Sequence, residues 1–120
     1  MEVKNFTVNK NVISWELNDG KISIAIDWLK NAYLYSKAKT ILVLVGQGDF
    51  PSSLLGYSVD GKKKFEVAAP EGFVFSYITA HPEVGVCVVC GGKEKIDGWY
   101  DWHFAIDVKI GKLTRHCPAY

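Results

Sequence analysis

The residues of this chain with most chemistry to offer are its few histidines and cysteines. From Asp101 to Asp107 the side chains alternate polar and apolar, which in a strand separates them onto two faces. Asp101, His103 and Asp107 then share one face, while Trp102, Phe104 and Ile106 share the other. If Val108 to Gly111 form a four-residue loop, Asp107 pairs with Lys112 and His103 falls opposite His116. Two imidazoles about 5 Å apart beside a carboxylate could hold a metal or act as an acid–base pair. The competing reading is a solvated polar face, and a one-residue slip of register would separate the two rings.

Cys87-Val88-Val89-Cys90 has the spacing of a redox pair or of half a zinc knuckle. The run around it, VGVCVVC, has strand character. Residues i and i+3 of a strand face opposite ways and lie roughly 10 Å apart, beyond the ~7 Å limit for a disulfide. A knuckle would need a second ligand pair from His103, His116 or Cys117. Packing as small apolar core residues is therefore the expectation for both cysteines. Gly-x-Ser-x-Gly, the phosphate-binding Gly-x-x-x-x-Gly-Lys-Ser/Thr and His-Glu-x-x-His are all missing. Lys62-Lys63-Lys64 sits beside a turn without interleaved aromatics, which suits a solvated hairpin tip better than a nucleic-acid site. No catalytic residue, resident metal or cofactor is expected.

Two loop segments offer binding chemistry instead. GQGDFPSS (46–53) carries Asp49 and Phe50, and GGKEKIDGWYD (91–101) carries Asp97, Trp99, Tyr100 and Asp101. Aromatic anchors ringed by charge are what a protein–protein hot spot requires. These six residues are the expected partner-binding set. The competing reading folds Trp99 back onto the core.

The elements that must position these groups are short strands. Asp19-Gly20-Lys21 recurs as Asp60-Gly61-Lys62 and, more loosely, as Ile110-Gly111-Lys112. Each lies between alternating apolar segments, and Asp-Gly so flanked is a strong hairpin signal. Further segments at 32–36, 41–46, 73–79 and 85–91 extend the pattern into two units plus one extra hairpin. The expectation is an all-β single domain over 1–120, an antiparallel meander of about ten strands with two blade-like repeats, closing as a sandwich or barrel. Residues 41–45 and 84–90 are apolar on both faces and should be the most buried strands. Asp27 could alternatively cap a helix over 28–38, but the repeat places a strand there.

GYSVDGKKKFEV and FAIDVKIGKLTRH resemble the inner hairpins of quinoprotein-type propeller repeats. The resemblance implies a local meander, since a ring needs about four or more blades. In size, architecture and missing catalytic motifs, the chain resembles the compact immunity proteins with which bacteria neutralise a toxin.

Composition narrows the function further. Hydrophobic residues make up 48% and charged residues 22%, a globular balance rather than a disordered one. The formal charge of +1 supplies no net field for nucleic acid or an anionic membrane. The odd cysteine count does not suit a secreted disulfide framework, and neither an apolar leader nor a membrane-length apolar run is evident. The expected protein is a cytoplasmic, non-catalytic immunity protein with a protein partner, possibly a toxin domain. The rivals are a small-molecule-binding β-barrel and an enzyme or metal site built on His103, His116 and Asp101.

Overall fold

A computed structural model describes residues 2–119. Eleven strands follow one another: β1 (Val3–Asn9), β2 (Val12–Leu17), β3 (Gly20–Ala25), β4 (Leu29–Tyr35), β5 (Thr40–Val45), β6 (Ser53–Ser58), β7 (Lys63–Ala68), β8 (Phe73–His81), β9 (Gly85–Ile96), β10 (Trp99–Ile106) and β11 (Leu113–Pro118). They hydrogen-bond in chain order into three antiparallel sheets, β1–β3, β4–β7 and β8–β11. A 3₁₀ turn at Ser36–Ala38 links β4 to β5, so the 28–38 segment is a strand and a tight turn rather than a helix.

Three expectations need correction. The described residues form eleven strands rather than about ten, because β1 escapes the alternation rule. Its register breaks between Lys4 and Thr7, with Asn5 at φ +54°, so its apolar residues lose the period of two. The sheets do not close into a barrel; they are joined in chain order and packed face on face. The blade-like units drawn in the sequence also cut across the sheets. The first unit joins β2–β3 of one sheet to β4–β5 of the next, and the second joins β6–β7 to β8–β9.

The glycine turns close the last hairpin of each sheet. In the first, Leu17 pairs with Gly20, so Asn18 (φ +57°) and Asp19 make the turn and Gly20 opens β3. In the second, Asp60 accepts hydrogen bonds from Ser58 Oγ and from the Lys62 amide, which fixes the bend before Gly61. In the third, the Asp107 amide donates to the Lys112 carbonyl at 2.9 Å, closing the four-residue loop the alternation predicts.

Two cores follow from the stacking. Successive residues of β5 point to opposite faces. Leu42 and Leu44 pack with Phe75, Val88, Trp102 and Phe104 of the third sheet, whereas Ile41 and Val43 pack with Ile13 and Trp15 of the first. The middle sheet is thus buried on both sides, the reason β5 is apolar throughout. Trp15 is fully buried, and its indole N–H donates to the Val59 carbonyl at 2.7 Å, so the one polar atom of that ring is satisfied. Among the described residues no helix is long and apolar enough to cross a membrane.

Candidate functional site

At one end of the middle sheet the 46–52 connection leaves β5 and carries Asp49 and Phe50 into solvent. Phe50 is 59% exposed. Next to the root of this loop lies a residue the sequence reading passes over. Trp28, between β3 and β4, has φ +62° and is 54% exposed, and its carbonyl accepts the Gly46 amide at 3.0 Å. A bulky side chain in the left-handed region is a backbone outlier costing on the order of 1–3 kcal/mol. No sequence pattern announces such a φ at tryptophan, which is why it goes unread.

The other predicted loop is mostly strand. β9 and β10 run on to a two-residue turn, Asp97 (φ +49°) and Gly98 (φ +86°), and Trp99, Tyr100 and Asp101 belong to β10. Asp97-Gly98 is itself a hairpin signal, and it takes precedence over the loop reading. Trp99 and Tyr100 are 40% and 50% exposed, with the Lys95 ammonium 5.5 Å from the centre of the Tyr100 ring. Asp101 pairs with Gly91, and its carbonyl accepts the Ala119 amide at 2.8 Å. The six expected partner-binding residues therefore divide between two sheets, two on the 46–52 loop and four on the β9–β10 hairpin.

A second constellation lies on the face of the third sheet turned away from the middle one. The expected pairing of β10 with β11 holds from Ile106–Leu113 to Phe104–Arg115. The register then shifts: His116 becomes the extra residue of a bulge, and Cys117, not His116, stands opposite His103. A bulge on the opposite edge does similar work. Phe75 pairs with Cys90 and Tyr77 with Val89, so the extra residue Ser76 turns Tyr77, Thr79 and His81 to the outer face. The imidazole partner of His116 is thus His81, their rings 5.1 Å apart and nearly perpendicular. His81 also meets the ring of His103 at 5.1 Å.

Cys117 sits among them, with Sγ 3.4 Å from His81 Nε2 and 3.5 Å from His103 Nδ1. The Glu83 amide donates to His81 Nδ1, so the neutral ring carries its proton on Nε2, facing the sulfur. His103 Nδ1 lies 3.3 Å from the Pro118 carbonyl, and Glu83 Oε1 lies 3.2 Å from His116 Nε2. Beneath the cluster Cys87 is fully buried although no sheet covers this face. Burial pushes the Cys87 thiol up to about 11, with a smaller contribution from nearby Cys117. Cys90 faces the core beside Trp102, and burial pushes it up to about 12. The two cysteines of the Cys-x-x-Cys stretch thus take opposite faces, as a strand requires. Asp101, two residues before His103 on β10, pairs with Gly91 and is not one of the clustered ligand groups His81, His116 and Cys117. His81, the last residue of β8, and Glu83 of the turn after it belong to the cluster although no sequence pattern points to them.

Compared with known proteins, the chain matches no family model, no curated protein and no solved structure.

Proposed function

We propose that the chain is a non-catalytic cytoplasmic protein that binds a protein partner, acting as an immunity protein that covers a toxin domain. The observation that carries this reading is Trp28. Trp28 combines a strained backbone conformation with a side chain that is 54% exposed, and its carbonyl is tied to the root of the loop that presents Phe50. Exposed aromatics of this kind supply large contact area at low conformational cost. Asp49 beside Phe50, and Asp97 and Asp101 flanking Trp99 and Tyr100, supply the polar rim. The mechanism is occlusion: the aromatic anchors seat in the partner and the body of the stacked sheets blocks its active site.

The test is a tagged pull-down from the source cell, identification of the bound protein, and titration with four variants. Trp28→Gly and Phe50→Ala, or Trp99→Ala and Tyr100→Ala, should weaken binding by at least about 2 kcal/mol at a hot spot. Trp28→Gly should keep or gain thermal stability, because glycine relieves the positive φ. A partner held equally tightly by all four variants would refute the reading. The immunity role requires in addition that the captured domain be toxic alone and harmless when co-expressed with this chain.

A further inference from the structure

The histidine–cysteine cluster has no part in that binding surface. His81 lines a groove with Tyr35, Ser36 and Lys37 at the 36–39 turn, the opposite end of β5 from the 46–52 loop. We propose that His81, His116 and Cys117 form a binding site for a divalent transition metal ion of the zinc type.

Geometry carries the proposal. One ligand atom from each of the three residues lies within 4.8 Å of the other two. With Zn–S near 2.3 Å and Zn–N near 2.0–2.1 Å, ligand atoms of a tetrahedral ion stand roughly 3.3–3.6 Å apart. The 3.4 Å between His81 Nε2 and Cys117 Sγ already has that value. Adjacent residues of a regular strand point to opposite faces, so His116 and Cys117 could not both serve without the β11 bulge. His81 reaches the same place only through the Ser76 bulge on the other edge strand. Two independent irregularities converging on one point outside both cores are more than packing asks for.

The donor set selects the ion. One thiolate and two imidazoles suit zinc, cobalt or copper and not magnesium or calcium, which take oxygen. Glu83 Oε1 beside His116 Nε2 is the outer carboxylate that orients a ligating histidine and leaves Nδ1 with its lone pair. His103, with Nδ1 shared between Cys117 Sγ and the Pro118 carbonyl, is a positioning residue for the sulfur. Three protein ligands leave a fourth position for water. As the metal–sulfur bond forms, the thiol proton of Cys117 leaves to solvent. Ligation through His81 Nε2 moves that ring's proton to Nδ1, where the Glu83 amide now donates, so loading must reorient the 82–84 turn. The bound ion would clasp β8 to β11, the two edges of the third sheet.

The experiment uses the full chain, stripped with chelator and kept reduced, and titrated with Co²⁺. The expected result is one equivalent bound, intense visible bands of a tetrahedral site and a thiolate-to-cobalt charge-transfer band, all displaced by Zn²⁺. Cys117→Ser should abolish the charge-transfer band, and Glu83→Gln should weaken affinity by roughly 10–100-fold. His81→Ala or His116→Ala should cost more than that. A missing charge-transfer band, or one that survives Cys117→Ser, overturns the proposal. A second readout needs no variant: Zn²⁺ should slow alkylation of Cys117 at least about tenfold relative to chelated protein, with the Glu83 amide resonance shifting on loading. An unchanged alkylation rate overturns the site as well.

Discussion

The three cysteines show how much one strand position decides. Cys87 and Cys90 are fully buried, their thiols raised to about 11 and about 12, while Cys117 is only half-buried. In native protein, a mild disulfide reagent near neutral pH should therefore titrate one thiol, mapped to Cys117, with the other two appearing only in denaturant. Rapid native labelling of Cys90 would contradict the burial. The same shifts set a pH dependence. A thiol raised in the folded state keeps its proton there while the unfolded chain, with pKa near 9.0, releases it. Its contribution to stability is intact below pH 9 and is lost as pH climbs towards 11 to 12, by up to about 1.4 kcal/mol per pH unit for each thiol. Urea melts at about pH 8 and about pH 10 should show this fall, and Cys90→Ala should flatten it.

At the scale of the elements, tight backbone approach does what side chains elsewhere cannot. A methyl group on Gly56 of β6 would meet the Phe65 ring at 2.2 Å, and one on Gly111, at φ +82°, would meet it at 2.5 Å. Phe65 is thus laid over bare backbone of β6 and of the 108–111 loop, and this contact joins the β6–β7 hairpin to that loop. Gly56→Ala, which on an open strand would be neutral or mildly stabilising, should here cost about 1–3 kcal/mol. Adding Phe65→Leu to Gly56→Ala should recover part of the loss, a non-additivity visible in a double-mutant cycle. Equal losses in the single and double variants would mean that the ring is not the obstacle. Asn31 acts across sheets in a comparable way. Its Oδ1 accepts the Ile78 amide at 2.9 Å, giving β8 a partner that its position at the sheet edge does not otherwise supply.

For the whole molecule the decisive fact is that one sheet serves two cores. Ile41 and Leu42 are neighbours in β5, both fully buried, yet each belongs to a different core. Removing either side chain leaves a cavity costing about 2–5 kcal/mol, and the strand that carries both should pass the damage to each core. Ile41→Ala and Leu42→Ala should accordingly lower the unfolding midpoints reported by Trp15 in one core and Trp102 in the other by the same amount. A separate, earlier transition at Trp15 alone in Ile41→Ala would show that the first sheet unfolds independently.

The strand-rich fold, the buried runs in β5 and β9, the opposite facing of Cys87 and Cys90, and the loop closed by Asp107 and Lys112 were all legible in the sequence. Each depends on a local rule, the alternation of side chains along a strand or the conformational demands of a turn. The sequence also singled out His103 and His116 as a possible pair, and there the local rule ends. A bulge adds one residue to one strand and reverses every face beyond it, and what decides its position is the packing of both strands against a neighbour. Only the tertiary structure therefore puts His116 out of register, turns His81 outward and gathers both around Cys117. The same limit hid β1 behind its irregular register and Trp28 behind a backbone angle that tryptophan adopts only when the surrounding structure holds it there.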